Sequence, residues 1–162
     1  MATTPLIPVA LYSDGGVSAE QFHYWQSRLH LPKVSALDDA AICVEITPCI
    51  EAPGFELSLS STSTTTRLKT RLDFTQGRIG YRATHAEQNH LLARAVGLSS
   101  HTRKRRVLDM TGGLGRDAFI LASLGCELKV IERHPVIFAL LENSLQRARA
   151  SSLTADIATH LQ

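Results

Sequence analysis

Apolar positions in the first half of the chain form short strand-like runs around one helix. Val9 to Tyr12 is a brief apolar run ended by the turn residues Asp14-Gly15-Gly16. Ser18 and Gln21 have the spacing of a capping box, which opens a helix that should end near His30, before Pro32. Ala41 to Thr47, rich in Ile and Val, reads as a strand. Phe55, Leu57 and Leu59 alternate with Glu56, Ser58 and Ser60 as in a half-buried strand. The Ser/Thr tract from Ser58 to Thr66 suits a strand running into a polar hairpin end, with Leu68, Arg71, Leu72 and Phe74 returning and Gly77 closing.

The second half changes texture. Thr84 and Glu87 form a second capping box, followed by Leu91, Leu92, Ala95 and Val96 at helical spacing and by Gly97 as a stop. After the basic run Arg103 to Arg106, Val107-Leu108-Asp109 is a short buried strand and Thr111 to Gly115 a glycine-rich turn. Arg116 to Leu124 is a helix apolar on nearly all sides, stopped by Gly125. Leu128 to Ile131 is the next strand. Pro135 then suits a first helical position, and Ile137, Leu140, Leu141, Leu145 and Ala148 form one stripe. Ala150 to Ala155 reads as a helix-to-helix connection. The order strand, glycine turn, helix, strand, helix opens a doubly wound α/β domain. The expected division is a small α+β segment over residues 1–82 and a partial Rossmann-like domain over 83–162.

Composition narrows the class without choosing a function. Of 162 residues 44% are hydrophobic, and 17 Lys plus Arg against 15 Asp plus Glu give a net charge of +2, too mild to demand a polyanionic partner. The longest apolar run, Val136 to Leu141, falls far short of the roughly 18 residues a membrane span needs. No charged n-region precedes an apolar stretch, so a cytoplasmic protein is expected. Cys43, Cys49 and Cys126 include no C-x-x-C pair and read as reduced, mostly buried thiols. The seven histidines show no paired ligand spacing, so no metal site is expected. The run Arg103 to Arg106 is either a solvated loop or a phosphate-contacting patch.

Chemistry concentrates between Val107 and Ala118. Gly113, Gly115 and Ala118 give G-x-G-x-x-A, a turn that lets a ligand approach the backbone at a helix N-terminus. The pattern fits a dinucleotide, an adenosyl nucleoside, or a tight turn alone. Asp109 separates the first two, because a carboxylate at the strand end repels a pyrophosphate but holds the ammonium of S-adenosylmethionine. Glu132, at the end of the next strand, can accept both ribose hydroxyls.

The segments Thr111 to Phe119, Ala122-Ser123-Leu124-Gly125-Cys126 and Ile131-Glu132-Arg133-His134-Pro135 resemble the ribosomal RNA small subunit methyltransferase J family. Leu72-Asp73-Phe74, Gly77, Tyr81-Arg82 and Ala93 to Gly97 extend the resemblance upstream. It implies a class I fold and transfer of a methyl group from S-adenosylmethionine to guanine N2 of small-subunit (16S) ribosomal RNA, with that RNA or the small ribosomal subunit as partner. It also implies cofactor contacts from Arg116 and Asp117 at the helix start, from Glu132 and Arg133 on the ribose and adenine side, and a methionine pocket shaped by Asp109, Gly113 and Gly115.

Two departures stand out. The family's glycine-rich basic stretch is replaced around Ala83 to Asn89. The Asp-Pro-Met-Phe/Tyr-Pro motif that handles the amine is absent, since the six prolines follow Thr, Ile, Leu, Thr, Ala and His. Only 56 residues follow Arg106, room for two strand-helix units. The expectation is therefore a C-terminally truncated, cofactor-binding portion with no catalytic residue of its own, leaving a sheet edge and apolar faces open. An NAD(P)-binding oxidoreductase fragment and a non-catalytic RNA-binding truncation are the alternatives.

Overall fold

Helix α1 (Ala19–Leu29) begins where the sequence places its cap. Ser18 Oγ accepts the Gln21 N–H and Gln21 Oε1 accepts the Ser18 N–H, each at 3.2 Å. His30 ends the helix in the left-handed conformation, with φ 52°. The computed structural model describes residues 7–49, 54–61, 68–77, 80–81, 85, 91–98 and 105–162. The second capping box, most of the stretch 83–89 and positions 103–104 of the basic run lie outside them, as do residues 62–67 of the Ser/Thr tract.

Two units divide the chain, Met1–Leu72 and Asp73–Gln162. The first is a four-stranded sheet in the order β1 (Ile7–Tyr12), β2 (Ala40–Pro48), β3 (Phe55–Ser61), β4 (Leu68–Arg71). β1 runs parallel to β2, as the α1 crossover between them permits, and the other pairs are antiparallel. The buried Trp25 of α1 meets Phe55 edge to face at 5.9 Å.

The half-buried pattern expected of β3 is not what forms. Glu56, Ser58 and Ser60 are buried as well as Leu57, because β3 is a central strand whose polar face meets charged neighbours. Glu56 pairs with Arg71 at 3.2 Å, Glu45 with Lys69 at 2.8 Å, and Ser60 Oγ donates to Glu45. The returning strand stops at Arg71.

In the second unit, β5 (Arg106–Asp109) and β6 (Glu127–Val130) pair in parallel, joined through α3 (Arg116–Ser123). α3 buries five consecutive residues, Ala118 to Ala122, as an apolar surround predicts. Asp73 and Phe74 belong to this unit through contacts with helices that follow β5. That places the division between Leu72 and Asp73, ahead of the 82/83 boundary read from sequence.

Helix α4 (Pro135–Ala150) starts with Pro135 in its first turn. Its buried residues are Val136, Ala139, Leu140, Leu141, Asn143, Ser144, Arg147 and Ala148, so Leu140, Leu141 and Ala148 of the expected stripe are buried, while Ile137 and Leu145 are half-buried and polar side chains share the buried face. α2 (Leu91–Ala95) differs likewise: Ala93 is buried while Leu91 and Ala95 are exposed. The connection at 151–154 leads to α5 (Ala155–Thr159), as expected of a helix-to-helix link.

Beyond α5 the backbone returns to the sheet. Leu128 N–H donates to His160 O at 2.8 Å, Gln162 N–H to Leu128 O at 3.0 Å and Val130 N–H to Gln162 O at 2.9 Å. A third parallel ladder thus starts on the far side of β6 from β5. β5 itself is less buried than its apolar run suggests: Leu108 is 55% exposed, and Met110 and Ile131 are 70% and 47% exposed.

Candidate functional site

The turn from Asp109 to Asp117 walls a cavity of about 410 Å³ lined by Asp109, Thr111, Gly112, Leu114, Gly115, Arg116 and Asp117. Its shape comes from close backbone approach. A β-carbon on Gly112 would stand 2.3 Å from Val130 Cγ1, and one on Gly115 would stand 2.5 Å from Leu141 Cδ1. Gly113 and Gly115 have φ of 52° and 67°, a region that costs a side-chain-bearing residue strain.

The ladder of β5 and β6 continues past the strand ends, with Ile131 N–H donating to Asp109 O at 2.8 Å and Gly112 N–H to Ile131 O at 2.9 Å. It holds the two acidic positions at the same, carboxyl end of the sheet, where open α/β folds bind ligands. Asp109 lines the cavity, its Oδ1 accepting the Thr111 N–H at 3.0 Å. Glu132 Oε2 accepts the Gly113 N–H and Oε1 the His134 N–H, each at 2.7 Å. The His134 N–H, ahead of that from Gly113, holds the Glu132 carboxyl below its ordinary value.

Four of the seven candidate positions therefore lie in one cavity wall: Asp109, Gly115, Arg116 and Asp117. Gly113 and Glu132 are tied to each other, and Arg133 is exposed beside Glu132. Thr111, Gly112 and Leu114 line the cavity without having been singled out, although they belong to the same glycine turn. Gly115 caps α3 without a side-chain hydrogen bond, and the N–H groups of a helix's first turn have no partner within the helix, the end of a helix that favours an anion. Among the described residues no His, Cys, Asp and Glu cluster could hold a metal ion, and no helix is long and apolar enough to cross a membrane.

Cys43, Cys49 and Cys126 are in no disulfide, the first and last are buried, and burial raises the Cys126 pKa. Arg105, the first described residue of the basic run's second half, directs Nη2 to Gly97 O at 3.1 Å and so closes the end of α2.

The chain is similar to known proteins. Residues 26–162 match the family described as "Putative SAM-dependent methyltransferase". The chain is 38% identical over 163 residues to ribosomal RNA small subunit methyltransferase J of Pseudomonas aeruginosa strain LESB58, covering 99% of this chain and 58% of the relative. It is 39% identical over 145 residues to the protein of the same name from Ectopseudomonas mendocina, covering 89% of this chain and 52% of that one. The chain thus spans about half the length of the curated relatives it matches. A solved SAM-dependent methyltransferase from Neisseria gonorrhoeae shares the fold with a TM-score of 0.67 at 24% identity, over 94% of this chain and 58% of that structure.

Proposed function

The chain belongs to this SAM-dependent methyltransferase family, and from that membership we propose that it supplies the S-adenosylmethionine-binding part of an enzyme that methylates guanine N2 of small-subunit ribosomal RNA. The observation that carries the reading is a carboxylate, Asp109, in the wall of a cavity that a glycine turn holds open at the head of α3.

The residues present fit the cofactor. Asp109 would hold the methionine ammonium by a charge-assisted hydrogen bond. The first-turn N–H groups of α3 and Arg116 would face its carboxylate. Asp117 stands beside them in the cavity wall. Glu132 Oε2 accepts the Gly113 N–H and Oε1 the His134 N–H, and because a carboxylate oxygen accepts more than one bond, ribose hydroxyls can be added without releasing the turn. Arg133 would lie on the adenine side. A dinucleotide fits poorly, because its pyrophosphate would meet Asp109 and Asp117 together.

When bound, the cofactor's sulfonium supplies the methyl group. The residues assigned in this chain act on the cofactor side of that transfer, binding and orienting it. The RNA substrate rests on the names of the relatives and on the sequence resemblance that also suggests N2 of guanine.

Calorimetric titration with S-adenosylhomocysteine and with NAD tests the cofactor reading. Tighter binding of the homocysteine nucleoside is expected, with Asp109→Asn weakening it by about tenfold; tighter binding of NAD overturns the reading. For the substrate, small-subunit ribosomal RNA from cells deleted for the protein should lack one N2-methylguanosine. Loss of a different modified nucleoside would reassign the acceptor, and an unchanged nucleoside profile would remove ribosomal RNA as substrate.

A further inference from the structure

Residues 73–75 lie outside every strand and helix, yet their side chains are tied in by hydrogen bonds, an ion pair and a ring contact. Asp73 Oδ1 accepts both the N–H and the hydroxyl of Thr75, at 2.8 and 2.7 Å. Its Oδ2 faces Arg147 Nη1 at 3.4 Å, and both side chains are about nine-tenths buried, with 10% and 8% exposed. The Phe74 ring between these anchors is fully buried and stacks on Phe119 at 4.2 Å and 9°.

These contacts lead back to the glycine turn. Phe119 N–H donates to Gly115 O at 2.9 Å, and Gly115 N–H to Gly112 O at 2.7 Å. A methyl group at Gly115 would stand 3.5 Å from Phe74 Cζ on one side and 2.5 Å from Leu141 Cδ1 on the other. Leu141 and Arg147 are on the same helix, α4. The turn, Phe119, Phe74, Asp73, Arg147 and Leu141 thus form a closed ring of contacts with Gly115 at its tightest point.

We propose that Asp73 and Phe74 are positioning residues for the cofactor: Phe74 supports the Gly115 turn from beneath, and Asp73, fixed to Thr75 and Arg147, holds Phe74 in place. The reading rests on the cofactor assignment above. Neither side chain lines the cavity. Each acts by keeping Gly115 and the first turn of α3 in the geometry that the cofactor meets, so that ordering of the turn is not charged against binding. A buried carboxylate paired with a buried guanidinium is an uncertain source of stability, and is better suited to fixing one geometry.

Two measurements on the full 162-residue chain test it. The first is S-adenosylhomocysteine affinity of Phe74→Leu and Asp73→Asn against Leu161→Ala, a core truncation in the same unit outside the ring. Positioning predicts about tenfold weaker binding for the first two at temperatures where all are folded, with little change for the third. The second is amide hydrogen exchange without ligand. Positioning predicts about tenfold faster exchange at Gly115 and Phe119 than in wild type, with α5 amides unchanged. Wild-type affinity in Phe74→Leu together with unchanged exchange at Gly115 overturns the proposal, as does an equal loss in Leu161→Ala. Should Phe74→Leu not fold, Asp73→Asn is read by the same criteria, and Phe74→Met replaces it. Failure of the wild-type chain to bind the nucleoside rejects the cofactor assignment instead, while the exchange experiment still decides whether Phe74 supports the turn.

Discussion

Glu132 accepts the backbone N–H groups of Gly113 and His134, and the role proposed for it adds the hydroxyls of a ribose to the same carboxylate. Those backbone bonds lower its pKa from the ordinary 4.5, which fixes the sign of its pH dependence. A carboxyl with a depressed folded pKa contributes stability that is complete above the unfolded value and is lost as pH falls through the folded one. Glu132→Gln should therefore lower the thermal midpoint at neutral pH, and the gap to wild type should close in acid below 4.5. Paired thermal melts across that range check it, and a gap independent of pH would remove the charge as the cause. At this scale the sequence was informative where chemistry is local. Asp109, Gly115, Arg116 and Asp117 share one wall because they are near neighbours in one turn. Phe74 was read only as part of the returning strand and of the upstream resemblance, and Arg147 carried no reading at all, since their partners are distant in sequence.

Among elements, α1 shows how well a local signal predicts local structure. Its capping box forms bond for bond as the spacing of Ser18 and Gln21 requires. Ser18→Ala removes one of the two reciprocal bonds and should cost the first unit about 1 kcal/mol. Urea unfolding followed by Trp25 fluorescence measures this, because Trp25 is buried in that helix. An unchanged midpoint would show that the sheet, not the cap, fixes the helix start. Elements whose faces depend on neighbours were harder to read. β3 alternates in sequence but is buried on its polar side too, since Glu45, Lys69 and Arg71 come from strands on both sides of it. α4 buries Asn143, Ser144 and Arg147, where periodicity alone favours Ile137 and Leu145.

For the whole molecule, the face of the β5–β6 sheet carrying Leu108, with Met110 and Ile131 at the strand ends, presents large apolar side chains to solvent. Such a surface promotes association, and on that face it adjoins the charges of Arg106, Glu127 and Lys129, the last paired with Leu108. Leu108→Lys is expected to reduce dye binding and concentration-dependent light scattering, while shifting stability by less than about 0.5 kcal/mol. Undiminished scattering would show that association uses another surface.

The sequence by itself determined the two kinds of structure in this chain, the glycine turn with its flanking acids, and the family to which they point. Each of these is written in contiguous residues whose backbone preferences and hydrogen bonds act within a few positions of one another. Only the tertiary structure decided the burial of the polar face of β3, the return of Leu161 to β6, and the ring of contacts that joins Asp73 and Phe74 to Gly115. Those depend on packing between residues far apart along the chain, where no local periodicity records which side chain will arrive.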